Sequence, residues 1–274
     1  MAVLLHGDCL DLMKTLPDKS VDLFLCDLPY GCLSAKDVVP PLVGDHRGRT
    51  KAMSACAWDI KIDLDQFWTQ VKRLCRDDHT PVLMFCSTKF GFDLYNSNPD
   101  WFRYDLVWNK QRGVSFLSAN KMPMRSHEMI YVFSKKGAHY YRKDITGDFK
   151  KWVANGTRER SAHSTQYGGA ERTNGEGGDG TRCVLSVIET RNGNGNRNGH
   201  PTQKPEDLYA FLIERYSKEG DTVLDPTAGS FASVFTAHKL GRKAIGMEMN
   251  KEFYDKALSS TSSHSSTDCS THPQ

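Results

Sequence analysis

Asp27, Leu28, Pro29 and Tyr30 follow a short apolar run, Val21 to Cys26, and so bring an acid, a turn-forming proline and an aromatic ring to one strand end. In open α/β sheets ligands gather outside the carboxyl ends of strands, where a carboxylate beside a ring suits a flat polar substrate such as a nucleobase. Read alone, the same tetrapeptide is also an ordinary strand followed by a proline turn. A second cluster lies far along the chain. Thr222 to Ser233, TVLDPTAGSFAS, reads as a buried strand, a tight turn of small residues and a helix start. The next apolar run, Ala244 to Met247, ends in Glu248, 23 positions beyond Asp225. An acid at about that distance accepts hydrogen bonds from ribose hydroxyls. The turn lacks the G-x-G-x-x-G spacing that brings backbone close to a pyrophosphate, which argues for a nucleoside without phosphates. Just upstream stands His200-Pro201-Thr202-Gln203-Lys204-Pro205, where Lys204 is placed to meet a carboxylate.

These residues need strands and helices to carry them. Apolar runs at Val21 to Cys26, Pro81 to Cys86, Tyr104 to Trp108, Met129 to Phe133, Thr222 to Leu224 and Ala244 to Met247 read as strands. Between them lie helical patterns: Leu64 to Leu74 sets Phe67, Trp68, Val71 and Leu74 on one face, and Glu206 onward repeats the spacing with Leu208, Phe211, Leu212 and Tyr216. The alternation implies an α/β fold with a mostly parallel sheet.

With these blocks in order, the chain resembles the β-group of amino-methylating DNA methyltransferases, S-adenosylmethionine-dependent enzymes found among phage and restriction-modification methylases, whose conserved blocks run in permuted order. In that group D-P-P-Y comes first, then a recognition insert, H-P-T-x-K-P, D-P-F-x-G-S-G and a ribose-binding acid. Here the order is Asp27 to Tyr30, an insert, His200 to Pro205, Asp225 to Ser230, and Glu248. Gly7-Asp8-Cys9, Asp105 to Lys110 and Arg125 to Phe133 also match, so the likeness runs from Leu5 to Ala257 apart from most of the insert. Two departures stand out. Leu28 replaces the first proline, and Phe231 stands where a glycine permits positive φ, so its ring is expected to narrow the cofactor pocket.

The resemblance implies a Rossmann-like, circularly permuted class I methyltransferase fold with seven strands, one of them antiparallel. It implies a core at 1–147 and 200–258, catalytic half first and cofactor half last, a target recognition insert at 148–199 and a disordered tail at 259–274. Asp27 and the Leu28 carbonyl would accept the two hydrogens of a target amine, Pro29 would stiffen the turn, and Tyr30 would stack on a base swung out of the duplex. S-adenosylmethionine would be held by Asp8, Cys9, His200, Thr202, Lys204, Asp225, Thr227, Gly229, Ser230 and Glu248. As readings of the residues alone, Asp225 as a helix cap and Asp8 as a turn residue stay open. The implied reaction is methylation of adenine N6 in duplex DNA, since an aspartate at the first catalytic position favours adenine and a serine there favours cytosine. The alternatives are cytosine N4 methylation and a DNA-binding, methyltransferase-like subunit with impaired catalysis. Methylation of protein glutamine fits less well, because that turn typically begins with asparagine. A homodimer and a cognate restriction endonuclease remain open.

Elsewhere the sequence sets limits. Within 274 residues, 38% of them hydrophobic, there is room for one moderate α/β domain with an insert. The formal charge of +3 requires any DNA affinity to come from a local basic face. Lys36, Arg47, Arg49 and Lys51, in a loop-like stretch after the catalytic turn, are candidates to close over phosphates, though a solvated loop accounts for them equally. Arg158, Arg160, Arg172, Arg182, Arg191 and Arg197 are candidates to contact phosphates or guanine edges. The eight cysteines include no C-x-x-C pair, and His127-Glu128 lacks a second histidine at Tyr131, so no metal site is expected. Without a signal peptide pattern or a membrane-length apolar run, the chain is expected to be cytoplasmic, nucleoid-associated or virus-encoded and intracellular.

Overall fold

Apolar runs become strands here because helices cover them on both sides. The computed structural model describes residues 1–30, 61–114, 116, 119–146, 181–190 and 203–262. It contains two compact units, Met1–Tyr141 with Ser186–Gln274, and Arg142–Leu185.

The first unit begins with β1 (Ala2–His6), α1 (Cys9–Lys14), β2 (Leu23–Cys26), α2 (Leu64–Leu74), β3 (Val82–Cys86) and α3 (Thr88–Ser97). After a single 3-10 turn come β4 (Phe102–Val114) and β5 (Arg125–Phe133). The second unit holds β6 (Ile145–Thr146) and β7 (Thr181–Arg182), a short antiparallel pair with Ile145 opposite Arg182. The chain then adds β8 (Val187–Glu189), α4 (Glu206–Tyr216), β9 (Thr222–Asp225), α5 (Ala232–Lys239), β10 (Lys243–Glu248) and α6 (Lys251–Ser262) to the first unit.

Eight strands form the main sheet in the order β1-β10-β9-β2-β3-β5-β4-β8. Only β5 runs against its neighbours β3 and β4; every other adjacent pair is parallel. The eighth strand, β8, exceeds the seven expected: Val187 and Ile188 pair with Val107 and Trp108 of β4, so these residues join the main sheet although they lie within the segment assigned to the insert. β1 also escapes the apolar-run reading, being a short edge strand whose side chains are only partly buried.

Strands β2, β3 and β9 are buried at every position, as a sheet covered on both faces requires. Alternate residues serve opposite cores. Leu23 and Leu25 pack with Leu208, Leu212 and Ile213 of α4, whereas Phe24 and Cys26 pack with Met13 of α1 and with Phe67, Trp68, Val71 and Leu74 of α2. That α2 face is the one its spacing predicts, and Asp63 caps the helix by accepting from the Asp65 and Gln66 amides at 3.0 and 3.1 Å. At the far end α6 continues to Ser262, past the expected boundary at 258, and the Ser259 and Ser260 hydroxyls there bond back to the Asp255 and Lys256 carbonyls, as serines in helices often do. The remainder of the expected tail lies outside the described residues.

Candidate active site

Because β1, β10, β9, β2 and β3 are parallel, their carboxyl ends share one edge of the sheet. Four acids arrive there. Asp8 follows β1, Glu248 ends β10, Asp225 ends β9 and Asp27 follows β2. The register fixes their order, with His6 opposite Glu248 and Gly246 opposite Asp225. Between β9 and β2 the winding reverses, since β9 leads to β10 on one side and β2 leads to β3 on the other. A crevice at such a reversal is where open α/β sheets bind ligands.

On the β2 side, Asp27 is held at both oxygens. The Tyr30 hydroxyl donates to Oδ1 at 2.9 Å, and the Lys204 ammonium donates to Oδ2. Burial first, and then the Asp27 charge, push the Tyr30 phenol well above its usual range, so it remains a donor. Its ring stacks on Phe90 with centroids 5.0 Å apart. Lys204 reaches Asp27 from the segment before α4, with its side chain almost fully buried and its Nζ 4.4 Å from the Phe85 ring centre. Beyond it stands Glu128 of β5, whose Oε2 lies 3.8 Å from Lys204 Nζ while Oε1 accepts from Lys110 of β4. The antiparallel run of β5 makes this possible: Met129 pairs with Cys86 at the end of β3, so Glu128, one residue earlier, reaches the active edge. Burial would raise the Glu128 carboxyl, but Lys204 and Lys110 outweigh it and hold the group below its ordinary value.

On the β9 side the turn after Asp225 folds around two acids. Asp225 is buried and accepts from the Thr227 amide at 3.0 Å and from the Ser233 hydroxyl. Burial raises its carboxyl to about 7 against those hydrogen bonds. Glu248 accepts from the Gly229 amide at 2.8 Å and the Asn250 amide at 2.7 Å, and burial raises it as well. Gly229 takes φ +53°, a left-handed value that suits glycine. The buried Thr227 hydroxyl has no partner among the described residues. An orphaned hydroxyl and two acids beside a turn of small residues form a donor and acceptor set suited to a nucleoside.

Phe231 corrects the expectation that its ring would narrow this pocket. The ring is fully buried in the core on the α5 side, edge-on to Tyr254 and beside Gly246. Its φ of +60° retains the left-handed backbone of a glycine position, at a cost of about 1–2 kcal/mol. Burying a phenylalanine side chain contributes roughly 1.5–3 kcal/mol, which offsets that strain. Leu28 is buried too, packed within the cluster that contains Phe24 and Phe67.

The profile of the DNA methylase family, covering N6 and N4 methyltransferases, matches residues 21–259. The chain belongs to this family. Among curated relatives, Type II methyltransferase M.BglII of Bacillus subtilis is 27% identical over 92% of this chain and 66% of its own length. DNA adenine methyltransferase YhdJ of Escherichia coli is 28% identical over 93% of the chain and 81% of its length. The chain thus spans just under two thirds of M.BglII. Two solved structures share the fold at 17% identity each: the M1.HpyAVI-SAM complex, with a TM-score of 0.57 over 94% of this chain and 98% of that one, and the cytosine-N4-specific PvuII DNA methyltransferase, with 0.61 over 93% and 84%.

In this chain Asp27, Tyr30 and Lys204 come together, and so do Asp225, Thr227, Gly229 and Glu248. Lys204, expected among the cofactor residues and placed by the sequence to meet a carboxylate, donates to the Asp27 carboxylate. The Asp8 side chain accepts from the Leu10 amide at 2.7 Å and caps α1, so the turn reading of this residue describes its contact here. Cys9 lies inward, and burial raises its thiol to about 12. Ser230 borders a small cavity with Phe235, Lys256 and Ala257. His200, Thr202, the basic residues between 36 and 51, and the insert arginines Arg158, Arg160, Arg172, Arg191 and Arg197 lie outside the described residues; Arg182 sits in β7. Sequence reading missed Glu128 and Lys110, although both occur in matched blocks. Each stands just outside an apolar run, Lys110 two residues after Trp108 and Glu128 immediately before Met129. Among the described residues no cluster of metal-ligating side chains occurs, and no helix is long and apolar enough to cross a membrane.

Proposed function

We propose that this methylase transfers a methyl group from S-adenosylmethionine to the N6 amine of adenine in duplex DNA. The observation that carries the reading is Asp27, a carboxylate just past the end of β2 at the strand reversal, gripped by Tyr30 and Lys204 and neighboured by the Asp225 and Glu248 turn. The cofactor supplies an electrophilic methyl on sulfonium; Asp225, Thr227, Gly229 and Glu248 are the groups that would hold it.

The amine of adenine shares its lone pair with the ring and is a poor nucleophile until that pair is localised. Asp27 and the Leu28 carbonyl each accept one amine hydrogen, which turns the lone pair outward. Positive charge grows on nitrogen as it attacks, so a fixed carboxylate stabilises the transition state more than the ground state. No protein nucleophile is needed; alignment of amine and methyl supplies much of the remaining acceleration. Within a duplex the amine is paired, so the base must swing out. Tyr30, held by its hydroxyl and by Phe90, is a ready stacking surface, and base-on-ring stacking contributes on the order of 1–3 kcal/mol toward the unstacking cost. The Arg142–Leu185 unit overlaps the segment 148–199 expected to recognise the target, and in this reading it would read the DNA site.

Cytosine N4 is the second reading, favoured by a family that spans both amines and by the fold shared with the cytosine-N4-specific enzyme. The reading as a binding subunit loses its main support now that the Phe231 ring lies in the core. The test incubates protein, unmethylated duplex DNA and labelled S-adenosylmethionine, then identifies methylated nucleosides by mass spectrometry. N6-methyladenine is expected, with Asp27→Ala lowering the rate by roughly 100-fold or more. N4-methylcytosine would replace the substrate and keep the mechanism, while a wild-type rate in Asp27→Ala would remove this carboxylate from the chemistry.

A further inference from the structure

We propose that Glu128 is a positioning residue that receives the Lys204 ammonium when a substrate amine takes its place on Asp27, an inference that rests on the methyl-transfer reading above. The need arises from charge. Lys204 donates to Oδ2 of Asp27, so the carboxylate that must stabilise a growing cation is already neutralised by one. A cation hydrogen-bonded to that oxygen competes with both the amine hydrogen and the developing charge. Lys204 has no free route to water, since its side chain is 5% exposed and its Nζ lies over the Phe85 ring. Leaving Asp27 without another acceptor would strand a buried charge.

Glu128 provides that acceptor. Its Oε2 is buried, 3.8 Å from Lys204 Nζ, and has no hydrogen-bond partner among the described residues. A charge-assisted bond closes at roughly 2.8 Å, so a shift of about 1 Å completes the transfer without moving backbone. Lys110 keeps the target in place: it binds Oε1 of Glu128 while its Nζ lies 5.0 Å from the Trp108 ring centre, and the Trp108 indole donates to Thr190 Oγ1 at 2.8 Å. One Glu128 oxygen is therefore anchored and the other faces Lys204. The charges along Asp27, Lys204, Glu128 and Lys110 alternate, and moving one proton-bearing nitrogen between two carboxylates leaves the total unchanged. A purely structural ion-pair chain would stabilise the fold equally well but would have no use for the open Oε2.

The test has two arms. In a crystal structure of the full-length protein carrying Asp27→Ala, Lys204 Nζ is expected to close on Glu128 Oε2 to about 3 Å. A Lys204 that turns to any other acceptor overturns the proposal, and this readout needs no turnover. In the second arm, Glu128→Gln is expected to lower kcat by about 10-fold or more while S-adenosylmethionine affinity and KM for DNA stay within about twofold, with Glu128→Asp regaining part of the rate. An unchanged kcat in Glu128→Gln overturns the proposal. If that variant does not fold, or if the wild-type protein methylates no base, the crystal arm decides alone, and the second outcome counts against the methyl-transfer reading instead.

Discussion

Among single residues Asp225 carries the clearest solution signature. An ordinary aspartate titrates near 3.8, whereas burial lifts this one to about 7, so between those values the folded protein binds a proton that the unfolded chain has released. Stability therefore falls as pH rises through that window, by a few kcal/mol in all, and is lowest above about pH 7. Asp225→Asn should flatten the fall, visible as a smaller difference between melting temperatures at pH 5 and pH 8; an unaltered difference would mean another group supplies the slope. Tyr30→Phe keeps the stack on Phe90 but removes the 2.9 Å bond to Asp27, so kcat should drop by several-fold, as about 1 kcal/mol implies, with little change in stability. The identities of Asp27, Asp225 and Glu248 as strand-end acids were legible because each closes an apolar run. The partner of Lys204 was not, since it lies 177 positions away and only the tertiary fold brings the two together. Glu128 and Lys110 stayed hidden for a related reason: their pairing depends on the register of β4 against β5, which no local pattern in either strand encodes.

At the scale of elements, the turn from β9 into α5 shows how a bulky residue can occupy a glycine conformation. Phe231 holds φ +60° and fills the space over Gly246, where an added Cβ would approach the Val234 methyl to 2.5 Å and the Phe231 ring to 2.7 Å. Gly246→Ala should thus destabilise the protein by about 1–3 kcal/mol through overpacking. Phe231→Gly relieves strain of about 1–2 kcal/mol but forfeits burial and leaves a void costing about 3–5 kcal/mol, so the net change is destabilising. The two changes share one space, so the double variant should be more stable than the sum of the single losses in urea unfolding; strict additivity would show that the ring and Gly246 are not in contact. Strands at the centre of the sheet were readable from their unbroken apolar runs, because both of their faces are covered. The edges were harder. β1 is only partly buried, and β8 has three residues and owes its place to β4, so neither announces itself through composition.

For the whole molecule the decisive arrangement is one edge of one sheet. The reversal between β9 and β2 gathers Asp225 and Asp27 from segments that begin and end the chain, and every described residue that holds either acid belongs to the Met1–Tyr141 and Ser186–Gln274 unit. The described contacts of Asp27 and Asp225 therefore all come from that one unit. Target choice is a separate task. A formal charge of +3 on 274 residues cannot by itself hold a DNA duplex tightly, so site-specific binding has to come from a local surface. Replacing residues 142–185 by a flexible glycine and serine linker of about 12 residues, which can extend to about 40 Å, should leave a protein that still melts cooperatively and binds S-adenosylmethionine. Its methylation of duplex DNA should fall steeply and lose preference among sites, as read by sequencing of modified positions. If instead the shortened protein methylates the same sites at the same rate, recognition resides in the main unit, and the loops at the carboxyl edge of its sheet become the surface that reads DNA. If it loses cofactor binding as well, the Asp225 and Glu248 turn depends on the second unit, and binding and recognition are coupled rather than divided between the units.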